Sequence, residues 1–213
     1  MYHRIDRPDA FQQILSEALK EEGFDDRIQK RYLFENEPKR IEALNALAGH
    51  QLNLADVAED PDRYKQHMQA GIKLIEEAST ISQDAASNWI SKAFYEIAKG
   101  QLNSALINCT DFENLNLKNS TDIEQQGLRA LCSLAKAIIE FNKGNYKESL
   151  SLIRNIIKAN PYAPSDMWFA LGLCYYRTSN IPKAKLSFDK TLELDQNNSM
   201  ALASLGIIEM VMG

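Results

Sequence analysis

A chain of 213 residues, 45% hydrophobic and 25% charged with only 9 Gly and 6 Pro, reads as an ordered protein with too few turn-formers for many short strands. Its formal net charge of −5 gives no general attraction to phosphate backbones and argues against direct nucleic-acid binding. No apolar run approaches the ~18 residues of a membrane span, and no basic-then-apolar leader opens the chain, so neither a membrane segment nor secretion is expected.

In chain order, Tyr2 to Asp6 resembles only the tail of a helix. Pro8 to Glu22 has the apolar spacing of an amphipathic helix, closed by Gly23, and Phe24 to Glu37 reads as a polar connector. Leu44, Leu47, Ala48 and Gln51 predict one helix, and Ala70, Leu74 and Glu77 a second packed against it. Asp60-Pro61 between them is a helix start, an N-cap followed by proline at the first helical position. Ala48 and Ala70 are the small residues expected at the close contact, with extra helix or loop inserted between them.

From Ala86 the pattern becomes regular. Trp89, Ala93, Gly100 and Ala105 define one helix pair, and a second opens near Ala130 with Ala137, the turn Gly144-Asn145-Tyr146 and Ser149 at the close-packing place. Asn160-Pro161 stops its second helix. The clearest unit opens at Ser165. Counted from it, Trp168, Leu171, Gly172, Tyr175, Ala184 and Phe188 fall at positions four, seven, eight, eleven, twenty and twenty-four. Trp168, Leu171 and Tyr175 form a buried helical stripe, Gly172 and Ala184 let two helices approach, and Phe188 fills the gap one turn later. A further unit opens thirty-four residues on at Ser199, with Leu202, Leu205 and Gly206 in register. This is the spacing of the tetratricopeptide (TPR) repeat. The expected fold is all-α, a right-handed superhelical solenoid of helix pairs. Residues 1–213 read as a single solenoid fragment: irregular long units over 1–85, regular units over about 86–129, 130–164 and 165–198, and the first helix of another over 199–213. Neither end carries a polar cap, as expected of a piece cut from a longer array.

No catalytic constellation accompanies this architecture. His3, His50 and His67 share no metal-ligand spacing. His50 and His67 flank Asp56, Glu59, Asp60 and Asp62, where a solvated acidic loop outweighs a metal site. Cys109, Cys132 and Cys174 are sparse and set among apolar residues, which suits buried thiols in a reducing compartment rather than a disulfide frame. Three formal glycosylation triplets, at Asn108, Asn119 and Asn197, read as chance matches without a secretory route. No nucleophile elbow, phosphate loop or zinc motif occurs, so no cofactor, metal or enzymatic activity is expected.

In a TPR stack the first helices line the inner surface. Reading positions two, five, nine, twelve and thirteen of each unit gives Ser87, Ile90, Phe94, Ile97 and Ala98, then Leu131, Leu134, Ile138, Phe141 and Asn142, then Asp166, Phe169, Leu173, Tyr176 and Arg177, then Met200, Ala203, Ile207 and Met210. Ile90, Phe94, Leu134, Ile138, Phe141, Phe169, Leu173, Tyr176, Arg177 and Ile207 are the candidate site residues among them. So apolar a stripe predicts a groove for an apolar, helical stretch of another protein. The competing reading is a register one residue off, or neighbouring helices that cover the stripe. Grooves that clamp a C-terminal carboxylate use Lys, Asn and Arg. Leu134, Ala135, Ile138, Ala170, Met200 and Ser204 stand at those places, so no such clamp is expected.

The stretches AKAIIEFNKGNY (135–146) and ANPYAPSDMWFALGLCYYRTSNIPKAKLSFDKTLELD (159–195) resemble the large TPR subunit of the RNA polymerase II-associated factor (PAF) complex. The features that carry the likeness are Phe141-Asn142-Lys143, Asn160-Pro161 with Pro164, Gly172 with Cys174, and Ala184-Lys185 with Phe188; the helix at 8–21 and the long unit at 41–81 fall where that family's early repeats would. Thr191 and Gln196 depart from the repeat, where alanine and proline are preferred. The resemblance implies a non-enzymatic nuclear scaffold acting in transcription elongation on chromatin. It also implies that the groove holds the complex's namesake subunit and meets RNA polymerase II indirectly. A TPR adaptor of the cytoplasm, outside transcription, is the alternative.

Overall fold

The computed structural model describes residues 37–83, 85–115, 122–160 and 162–212. The readings made for residues 1–36 lie outside these. Among the described residues there are nine α-helices and no strand: α1 (Glu37–Asp56), α2 (Pro61–Ile81), α3 (Ala86–Ala98), α4 (Leu102–Asn114), α5 (Asp122–Asn142), α6 (Tyr146–Ala159), α7 (Ser165–Arg177), α8 (Ile181–Leu194) and α9 (Ser199–Met212). They fall into two compact units, residues 1–120 and 121–213.

In the first unit α1 pairs with α2 and α3 with α4, and α3 also packs on both α1 and α2. The extra residues between Ala48 and Ala70 are helix rather than loop, since α1 and α2 run to 20 and 21 residues. Asp60 caps α2 as expected: its carboxylate accepts the Asp62 N–H at 3.0 Å, and Pro61 occupies the first turn. The close contact, however, belongs to Gly71 and not Ala70. A β-carbon there would lie 3.4 Å from Leu52 Cδ2 and 3.6 Å from the Ala48 carbonyl oxygen. Leu44, Ile41 and Ala78 close one end of the α1–α2 core, and Leu52, Ala55 and Met68 the other. Buried Asn88 links three helices. Its Nδ2 donates to the Ser82 carbonyl at 2.8 Å, and its Oδ1 accepts from Asn45 Nδ2 at 2.7 Å.

In the second unit successive helices pack in chain order from α5 to α9. Ala137 and Ser149 meet as the small pair of α5 and α6, where the Ser149 hydroxyl donates to the Ala137 carbonyl at 2.8 Å. Gly172 faces Phe188 so tightly that a β-carbon would stand 2.5 Å from the ring, and the equivalent Gly206 of α9 meets nothing within 4 Å. α5 begins at Asp122, two turns before the Ala130 expected from the repeat. The surplus over the repeat length therefore sits in an extended first helix.

The same turn closes three pairs. Gly100, Gly144 and Ser179 take positive φ of 74°, 85° and 60°. The next residue's N–H then reaches back five positions: Gln101 to Glu96 at 2.8 Å, Asn145 to Glu140 at 2.9 Å and Asn180 to Tyr175 at 2.9 Å. This is the Schellman closure that satisfies the last carbonyls of a helix.

Candidate partner-binding surface

The stripe expected to line a groove divides between the units. In the first, α3 presents Ile90 and Phe94. Ile90 is only 5% exposed, which corrects its reading as a groove residue: α3 is packed against α1, α2 and α4, and Ile90 is buried in that packing. Phe94 is half-buried against Leu52, Ala55 and Met68.

The second unit holds the other eight. Phe169, Leu173 and Tyr176 of α7 are half-buried and pack on Ala184, Phe188 and Ile208, with the Phe169 and Phe188 rings 5.5 Å apart. Each therefore offers one flank to solvent and commits the other to the core. On α5, Leu134, Ile138 and Phe141 are likewise half-buried. The Phe141 ring stands edge-on to Tyr146 at 5.1 Å. The exposed Arg177 guanidinium lies 4.9 Å above Tyr146 and 6.0 Å from Phe141, a cation–π stack at the turn. Arg177 is thus engaged with aromatic rings rather than reaching free across the surface. Ile207 is 45% exposed on α9.

Of the stripe's large apolar side chains, those most open to solvent lie on α5 and α9. Leu131 of α5 is 42% exposed, and on α9 Met200 and Met210 stand open at 63% and 78%. The helix α9, SMALASLGIIEMVM, is apolar on nearly every side, yet among its described side chains only Ala201 and Ile208 are buried. A helix apolar all round is normally covered all round. The ion pair between Lys185 Nζ and Glu209 of this helix is exposed, at 3.8 Å.

Among the described residues the chemistry-bearing side chains do not converge. His67 Nδ1 pairs with Gln51 Oε1 at 2.8 Å. Among the described residues no three His, Cys, Asp or Glu could hold a metal ion, and no helix is long and apolar enough to cross a membrane. Cys174 is buried with its sulfur 3.4 Å from the Ser149 hydroxyl. Burial pushes its thiol above the usual range, and the Ser149 contact offsets that in part. A thiol held protonated is a poor nucleophile.

A scan against protein-family models finds no match. Among curated proteins the chain is 29% identical over 209 residues to the protein CTR9 homolog of Arabidopsis thaliana, covering 98% of this chain and 18% of that protein. It is 24% identical over 207 residues to the RNA polymerase-associated protein CTR9 of Caenorhabditis elegans, covering 97% of this chain and 17% of that one. It therefore spans under a fifth of the length of these relatives. The crystal structure of a thermophilic TPR protein from Thermus thermophilus superposes with a TM-score of 0.59 at 15% identity, covering 96% of this chain and all of that one, which fixes the fold as TPR. Along nearly its whole length the chain is homologous to CTR9 proteins, one of which is named as RNA polymerase-associated.

Proposed function

We propose that this chain is a non-enzymatic scaffold of the PAF complex in the nucleus. In this reading it holds an apolar helical segment of the complex's namesake subunit and reaches RNA polymerase II through the assembled complex, with no direct contact to nucleic acid. Its partner surface is built on the first helices of the second unit. The observation that carries this reading is the solvent-open apolar side chains of two of those first helices, Leu131 on α5 and Met200, Ile207 and Met210 on α9, within a chain homologous to CTR9 over 98% of its length. Apolar patches of that kind mark partner sites on otherwise soluble surfaces, and an amphipathic helix is the segment such a surface accepts.

The test must separate binding from folding. Phe169 and Leu173 pack on the Phe188 core, so aspartate at either would disturb both. Leu131 and Ile207 are exposed and tolerate charge. The double variant Leu131→Asp/Ile207→Asp should retain its helical circular dichroism and lose at least about tenfold in affinity for the purified namesake subunit, a loss of ~1.4 kcal/mol. Unchanged affinity rejects this surface. Failure to recover the subunit from nuclear extract on the wild-type chain would favour an adaptor outside transcription.

A further inference from the structure

A second surface lies on another side of α7. At ~100° per residue, Trp168, Leu171 and Tyr175 point roughly 130° away from Phe169, Leu173 and Tyr176. They form the apolar floor of a furrow of about 540 Å³ between α6 and α7. Its opposite wall is α6, where Lys147, Arg154 and Lys158 fall on one helical stripe and all three are exposed. No carboxylate lines the furrow. Among the described residues none of the three cations has an ion pair, whereas Arg40, Lys99, Lys185 and Lys190 each have one.

We infer that this furrow docks an acidic, extended segment of a partner protein that carries a large apolar anchor. Three unpaired cations beside aromatic and aliphatic side chains, with no carboxylate in the lining, make a local positive field, which selects an acidic ligand. The apolar floor then rewards a ligand with a hydrophobic side chain, which a bare polyanion lacks. Spacing fits an extended peptide. Arg154 and Lys158 stand ~6 Å apart along the helix, close to the ~6.6 Å between same-side residues of a strand. RNA suits the site less well, because three cations meet few of its phosphates and the apolar floor gives its backbone nothing to bury.

The probe is a fluorescein-labelled peptide rich in Glu and Asp with one central Phe, titrated into the full 213-residue chain. The chain has two tryptophans, so Trp89→Phe leaves Trp168 as a reporter inside the furrow. Saturable binding is expected, with a shift in Trp168 emission and weakening as salt shortens the screening length. The triple variant Lys147→Glu/Arg154→Glu/Lys158→Glu should weaken it about tenfold, each exposed pair contributing a few-fold. Replacing the peptide's Phe by Ala should remove the Trp168 response. The Leu131→Asp/Ile207→Asp variant should bind the probe like the wild type, so failure of this proposal is distinguishable from failure of the inner-surface reading. The proposal is overturned if binding is not saturable, if charge reversal leaves affinity unchanged, or if single-stranded RNA of equal charge competes as strongly as the peptide.

Discussion

Gly172 and Gly206 hold the same place in successive repeats, yet adding one methyl group to each should shift stability in opposite directions. At Gly172 the new carbon would stand 2.5, 2.6 and 2.9 Å from Phe188 Cε1, Cδ1 and Cζ. Carbon atoms rest at ~3.5–4.0 Å, so the ring must retreat by about 1 Å. Phe188 is only 1% exposed and has Phe169 against it, which leaves little room to yield. Overpacking of this kind costs ~1–3 kcal/mol. Alanine recovers about 1 kcal/mol through its better helix propensity. With three ring atoms in the way, Gly172→Ala should destabilise the second unit by ~1–2 kcal/mol. Gly206 meets nothing within 4 Å, so Gly206→Ala keeps the propensity term alone and should stabilise this chain by up to ~1 kcal/mol. In a Phe188→Leu background, where the planar ring is gone, Gly172→Ala should lose most of its penalty. Urea titrations followed by Trp168 emission in a Trp89→Phe chain read the second unit directly. Equal shifts of the same sign for the two glycines, or a penalty at Gly172 that survives Phe188→Leu, would refute the packing argument.

Ser179 takes the left-handed turn position that glycine fills in the two preceding pairs, at φ 60°. A side chain in that conformation costs ~1–2 kcal/mol, offset in part by glycine's larger unfolded entropy, so Ser179→Gly should gain ~0.5–1 kcal/mol in urea denaturation. For Cys174, burial raises the thiol's pKa in the folded state, so stability is complete below the unfolded value. As pH climbs past ~8.5 the unfolded thiol ionises first and stability falls. Cys174→Ala should flatten that decline between about pH 8 and 10 in parallel urea titrations, and an unchanged slope would count against the assignment.

The parts of the fold that were legible in the sequence are those where backbone approach demands a small residue. Gly172 with Phe188 and Ala137 with Ser149 could be placed from spacing because a larger side chain at those contacts has nowhere to go. Ala70 stood in for Gly71 because both are small, and apolar spacing resolves a helix face more coarsely than one residue. The early start of α5 was invisible, since helix can extend upstream of a repeat without disturbing any of its contact positions. For the candidate surface, the template gave direction and not cover. It offered Ile90 as a groove residue, but that side chain is buried where α3 packs on its neighbours, which include the long helices α1 and α2 from the part of the chain where the period fails. Arg177 drew its partners, Phe141 and Tyr146, from another helix pair, which no local spacing encodes.

Asn88 has a consequence for how the first three helices find one another. Aliphatic surfaces of long helices such as α1 and α2 grip nearly as well after sliding by one turn, ~5.4 Å. The amide cannot slide with them: away from Asn45 and the Ser82 carbonyl it would be buried with its polar atoms unmatched, a cost of ~1–3 kcal/mol. One polar side chain thus discriminates among greasy alignments of similar strength, acting as the key that lets a single registration through.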